Sequence, residues 1–227
     1  MPIHSITEFA HGINDEEPKE SVMNTKQRIL DEALTLFAEK GYANVFVGEI
    51  AEKVGIKAPS LYKHYRNKRA IFDAIIDEMN HRFEQQAQAL SISGTDPTAD
   101  ADVYKNMDEE HLIKLGKDLF RYYLHDSYTK RFRKMLTLEQ FQDQELARVY
   151  SHQYFDMPLS YQGMLLGLMV SQGLLVTGNV PIMTLQFYAP IYMLLTVCDR
   201  EPSREQEAME LLEGHIKQFD QLYGRNF

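Results

Sequence analysis

Between residues 24 and 83, apolar side chains recur three and four positions apart in four short runs, each bounded by a glycine or a strong N-cap residue. That spacing lays one apolar stripe along a helix, whereas strand side chains change face at every residue. The first run holds Ile29, Leu30, Ala33, Leu34 and Phe37 and stops at Gly41. Asn24 and Gln27 at its start have capping-box spacing. The second run, with Ile50, Ala51 and Val54, stops at Gly55. The third is predicted over 58–64 with Leu61 and Tyr65 facing inward; Pro59 is tolerated in a first turn, where a backbone donor is free anyway. The fourth follows Asn67 and carries Phe72, Ile75, Ile76, Met79 and Phe83.

The later chain reads the same way. Helices are predicted over 110–125, 128–140, 142–155, 158–178, 182–198 and 203–223, with no alternating strand pattern and no internal repeat. Pro158 fits a helix start, Gly178-Asn179-Val180-Pro181 a stop, and Ser203 with Gln206 a second capping box. Pro190 predicts a kink. Residues 91–109, rich in Ser, Asp and Thr, are expected to form a loop. Residues 1–23 show no sustained periodicity and are expected to be a flexible leader. The expectation is an all-α chain. Its divisions are the leader 1–23, a small N-terminal domain at 24–70 and a larger helical domain at 71–227, with the helix at about 68–90 connecting the two.

Composition removes several classes. Hydrophobic residues at 44% are enough for a buried core, so the chain as a whole is not disordered. One cysteine, Cys198, excludes an internal disulfide and any multi-cysteine metal site, which suits a reducing cytoplasm. A buried, inert thiol is expected there. His111, His125 and His152 form no dense ligand motif, and no metal or cofactor is expected. No Gly-rich phosphate loop, HExxH or G-x-S-x-G occurs, so no enzyme chemistry is expected. There is no secretory signal, and no run of about 18 charge-poor apolar residues is expected to cross a membrane.

The net charge is −9. It is unevenly distributed. Residues 24–90 carry ten Lys/Arg against nine Asp/Glu, whereas residues 91–227 carry thirteen against nineteen. Positions 57–69 hold Lys57, Lys63, Arg66, Lys68 and Arg69 and no acid. A compact basic island on an acidic chain confines affinity for polyanions to one place.

That island coincides with a helix-turn-helix pattern. Val54-Gly55-Ile56 has the make-up of its turn, with a glycine free to take positive φ between two apolar residues. The next helix would then present Lys57, Ser60, Tyr62, Lys63 and His64 to phosphates or base edges. Lys68, at the following helix start, would hold a phosphate beside free backbone amides.

The chain here resembles the TetR family of tetracycline-repressor-like regulators. The resemblance is carried by Arg28-Ile29-Leu30, Ala33-Leu34, Leu36 to Tyr42, Glu49-Ile50-Ala51, Val54-Gly55-Ile56, Leu61 to Tyr65 and Asn67-Lys68, about a quarter of the chain. It implies a dimeric, ligand-responsive transcription factor on double-stranded DNA, usually a repressor. It puts Thr25, Tyr62 and Lys68 on the DNA backbone and Pro59, Ser60, Lys63 and His64 near the major groove. This chain departs from the family pattern at Val45 and Phe46, where Thr or Ser is usual, at Lys57, where Ser or Thr often caps, and at Pro59.

The resemblance extends to the C-terminal half only in size and helix count. There, a seam of Leu212, Ile216, Phe219 and Tyr223 on the last helix, with Leu185, Tyr188 and Tyr192 on the preceding one, is expected to form a homodimer interface. Aromatic and methionine residues between 112 and 178 suit a pocket for an apolar or aromatic small-molecule effector, with Phe120, Tyr123, Tyr161, Met164, Leu168 and Gln172 as candidate lining. The alternative is a helical metabolite or lipid carrier, or an enzyme, with an incidental helix-turn-helix. Ligand binding by such a carrier would show little salt dependence.

Overall fold

The computed structural model describes residues 24–224, so the leader at 1–23 lies outside the described residues. Those residues form eleven α-helices and no strand. They are α1 (Thr25–Lys40), α2 (Val47–Val54), α3 (Ala58–Tyr62), α4 (Lys68–Ala89), α5 (Pro97–Tyr104), α6 (Glu109–His125), α7 (Ser127–Glu139), α8 (Gln144–Ser151), α9 (Met157–Ser171), α10 (Val180–Arg200) and α11 (Glu205–Tyr223). A π-helical turn, His152–Asp156, joins α8 to α9.

Local chemistry sets most of the helix starts. Asn24 closes the capping box on Gln27, and Asn67 accepts from the Ala70 amide. Asp96, Asp108, Asp126, Asp143 and Asn179 cap α5, α6, α7, α8 and α10 by the same bond to a free first-turn amide. Three expectations are corrected. The segment 91–109 contains a helix, α5, because Asp96 is its cap and Pro97 its first residue. The Ser203 capping box does not form; residues 202–204 make a 3-10 turn and α11 starts without a side-chain cap. Finally, α9 ends at Ser171 and not near 178, since Gly173 turns the chain at φ 76°.

Two main cores result. In the first, α1 to α4 pack around Ile29, Leu34, Phe37, Ile50, Leu61 and Phe72, and α7 inserts Tyr128, Phe132, Met135 and Leu136 into the same cluster. Polar contacts fasten this junction. Arg131 of α7 donates to the Asp31 carboxylate at 2.6 Å and the Asp31 carbonyl at 3.1 Å. Glu139 accepts from the Tyr42 amide at 2.8 Å. In the second core, α6, α10 and α11 close around Phe120, Leu124, Leu195, Cys198, Leu212 and Ile216.

The packing of α11 turns part of the predicted dimer seam inward, while Leu185 of that seam stays exposed. Leu212, Ile216 and Phe219 are buried inside the subunit. Tyr188 bonds the Tyr154 carbonyl, Tyr192 bonds the Tyr150 hydroxyl and Tyr223 bonds Gln186, all within one chain. The heptad spacing is real, but it serves packing between α11 and its neighbours α6 and α10. The opposite helix faces point outward, with Ile182, Leu185 and Met193 on α10 and Leu211 and Leu222 on α11 exposed.

The expectation about charge-poor apolar runs is also corrected. Helix Val180–Arg200 is long and apolar enough to cross a membrane by length and composition, although only 22% of its most apolar window is buried. Pro190, Thr184, Gln186 and the tyrosines at 188 and 192 hide this in a residue-by-residue reading, because they are polar or irregular without being charged. In the fold, Met183, Thr184, Leu194, Leu195 and Cys198 form its inner face.

Candidate nucleic-acid interface and effector cavity

The turn between α2 and α3 is built as its residues dictate. Gly55 takes φ 76° and ψ 30°, a left-handed conformation that costs a side-chain-bearing residue. Its amide and that of Ile56 return to the Glu52 and Ala51 carbonyls at 3.0 and 2.9 Å. Arg28 of α1 donates to the Val54 carbonyl at 2.6 Å and so pins the end of α2, a role that its place in the family pattern did not disclose.

Helix α3 is only five residues long, and Leu61 is its one fully buried side chain. Around that anchor, Lys57, Pro59, Tyr62, Lys63 and His64 are exposed and Ser60 is half-buried. Lys57 stands at the N-cap without making a side-chain cap bond. Lys57, Lys63 and Arg66 have no ion-pair partner among the described residues. Thr25 opens α1 and is half-buried on the same domain. Tyr65 is core; burial pushes its hydroxyl up to about 12, and its oxygen has no partner among the described residues.

Two members of the basic island are committed elsewhere. Lys68 donates to the Tyr42, Val45 and Ala43 carbonyls at 2.7, 3.0 and 3.4 Å, and its ammonium lies 4.4 Å from the centre of the Tyr42 ring. Burial lowers its pKa. Its three donors are thus occupied by the turn between α1 and α2, which corrects the expectation that this ammonium holds a phosphate. Arg69 pairs with Asp73 and Glu145. Beside them, Val45 is core while Phe46, the N-cap of α2, is 71% exposed and makes no cap bond. The first amides of α2 are therefore free for solvent or a phosphate.

A cavity of about 1010 Å³ lies between α4, α5, α6, α7, α9, α10 and α11. Phe120, Tyr123, Tyr161 and Met164 are in its wall. Leu168 and Gln172 are not. The wall on α9 follows the stripe Tyr161, Leu165 and Met169, and Gln172 is an exposed residue beyond the helix end. Sequence reasoning missed the contribution of α4, whose Met79 and Phe83 form part of the wall. It also missed Tyr154 and Tyr188. Their signal was a cluster of tyrosines at 150, 154, 188 and 192, far apart in sequence and stacked only by the fold. Cys198 is buried, and desolvation raises its thiol pKa, as suits an unreactive side chain.

Comparison with known proteins agrees with this geometry. Residues 29–75 match the model described as bacterial regulatory proteins, tetR family. The biofilm operon icaADBC HTH-type negative transcriptional regulator IcaR of Staphylococcus epidermidis is 41% identical over 58 residues, 26% of this chain. The matched stretch spans only 31% of IcaR's length. Among solved structures, SmeT, the repressor of the Stenotrophomonas maltophilia multidrug efflux pump SmeDEF, superposes with a TM-score of 0.61 at 20% identity, covering 90% of this chain and 92% of that one. SmeT is also known as a triclosan complex. A TetR family transcriptional regulator from Pseudomonas syringae gives 0.64 at 14% identity, covering 91% and 100%. Residues 29–75, which contain the helix-turn-helix, are thus a DNA-binding segment of tetR-family type, carried by an all-helical fold similar to that of these regulators.

Proposed function

We propose that this protein is a cytoplasmic transcriptional repressor that binds a near-palindromic operator as a homodimer and leaves it when a small molecule fills the cavity. The observation that carries the reading is the outer face of α3. Lys57, Ser60, Tyr62, Lys63 and His64 surround a single buried anchor, on a chain of net charge −9. Such a face supplies phosphate and base-edge contacts, and one five-residue helix supplies too few of them for specificity alone. Two copies related by a two-fold axis would sit about 34–36 Å apart in successive major grooves. The apolar outer faces of α10 and α11, with Leu185, Met193, Leu211 and Leu222, are the surface we assign to the partner subunit, in place of the inward-facing seam.

Helix α4 supports the coupling. Its first residue, Lys68, holds the turn of the DNA-binding domain, and its later residues Met79 and Phe83 form cavity wall. At 22 residues it is a rod about 33 Å long. A ligand that displaces the wall end moves the end that bears on the helix-turn-helix, so effector and operator affinities oppose each other.

Selection of the purified protein against a random duplex library is expected to enrich an inverted repeat; no enrichment at low salt would refute operator binding. On the winning site, Lys63→Ala is expected to reduce the slope of log K against log salt by about 0.9, the loss of one phosphate contact. Lys68→Met separates positioning from contact. It is expected to lower stability by about 1–3 kcal/mol, through the loss of its bonds to three carbonyls, with the salt slope unchanged. A reduced slope would restore the phosphate role.

A further inference from the structure

We infer that the ligand of the cavity is a bulky lipophilic cation and not a fatty acid or other organic anion, an inference that rests on the effector reading above. Charge at the opening is the first observation. Glu84, Asp108, Glu109, Asp156 and Asp220 all border the cavity and are all exposed, against Lys105 and His152 as the basic side chains of the wall. Asp108 pairs with His111; the other four have no ion-pair partner among the described residues. An opening lined by one sign of charge concentrates ligands of the other sign and repels its own.

The second observation lies behind the wall. Asp100 is completely buried, yet no Lys, Arg or His pairs with it among the described residues. Its oxygens accept from the Ser93 amide at 2.7 Å, the Gly94 amide at 2.8 Å and the Tyr161 hydroxyl. Tyr161 is itself cavity wall. A buried carboxylate without a counter-cation therefore stands one side chain away from the space that a ligand occupies, where low local dielectric strengthens its field.

The third observation is the wall's own chemistry. Phe83, Phe120, Tyr123, Tyr154, Phe187 and Tyr188 present aromatic faces, which attract a desolvated cation. The hydroxyls of Tyr104, Tyr123 and Tyr154 make no hydrogen bond to another described residue, and Tyr154 is only 7% exposed. Hydroxyls on a cavity wall without a protein partner are free to bond a guest. An anion here would meet no arginine in the wall itself to offset its desolvation, and the buried Arg133 behind Tyr123 is already paired with Asp199. The volume, about 1010 Å³, suits a multi-ring molecule.

The test uses the full chain and three probes of like shape in isothermal titration calorimetry: tetraphenylphosphonium, tetraphenylborate and neutral triphenylphosphine oxide. The phosphonium is expected to bind at least tenfold more tightly than the borate. Asp100→Asn keeps an acceptor for one of the two amides only, so its fold is checked by circular dichroism, and it is expected to weaken the phosphonium three- to tenfold with the neutral probe unaffected. Glu84→Gln with Asp156→Asn, both at exposed positions that the fold does not require, is expected to reduce the same preference. Borate binding as tight as phosphonium binding overturns the inference, and so does a preference that survives both sets of substitutions. In either case a cavity that still binds a probe leaves the effector reading standing. Binding of none of the three would remove that reading and this inference with it.

Discussion

Met193→Arg is expected to convert the protein to a monomer at micromolar concentration and to reduce operator affinity by about a thousandfold or more. Met193 is 55% exposed in the middle of the outer face of α10, in line with Leu185 and Ala189. An arginine at this place costs the single subunit little, because the long side chain reaches water. In a two-fold interface it meets its own copy or apolar surface across the axis, so the change is felt twice. A monomer retains one α3 and hence one half-site, and its affinity falls toward the non-specific range. Sedimentation velocity gives the oligomeric state, and titration of the selected operator gives the affinity. A Met193→Arg protein that still dimerises and binds normally would move the subunit contact away from α10. Circular dichroism checks that the helix content is retained, and Leu211→Glu on α11 serves as the independent second substitution in the same face.

Arg133→Met is expected to destabilise the protein by about 3–5 kcal/mol. Arg133 is 1% exposed and each of its three guanidinium nitrogens is hydrogen-bonded. Two of its nitrogens grip both oxygens of Asp199, one at 2.6 Å, and a third donates to the Tyr123 carbonyl at 3.0 Å. The one residue thereby ties α7 to the end of α10 and to α6. Burial opposes the charge and the Asp199 carboxylate favours it, with the pair holding the guanidinium pKa above its usual value. Methionine matches much of the stem but leaves Asp199 and the Tyr123 carbonyl without a partner. Urea unfolding at fixed protein concentration measures the loss, since an assembled protein's stability depends on that concentration. Loss of the exposed Arg204 pairing with Glu207 is the matched control and is expected to change nothing measurable. A change at Arg133 no larger than that control would show that this ion pair is replaceable packing.

Much of this protein was readable from residue order alone. The capping box at Asn24, the stripe from Ile29 to Phe37 and the left-handed glycine at 55 are local devices, each set by close neighbours along the chain. The all-helical class and the outward groups of α3 followed from them. Whether a given stripe faces its own subunit or another was not local. Leu212, Ile216 and Phe219 have heptad spacing in either case, and only the position of α6 and α10 against α11 turned them inward. Lys68 could not be assigned from sequence because its partners are carbonyls 23 to 26 residues away. The cavity was legible as an excess of Phe, Tyr and Met, but not its wall, which takes residues from seven helices. Asp100 looked like one of several loop acids until the fold buried it behind Tyr161. The physical reason is common to all these cases. Periodicity and capping energies act along the chain, whereas burial, pairing of charges and the enclosure of space depend on which distant helices meet.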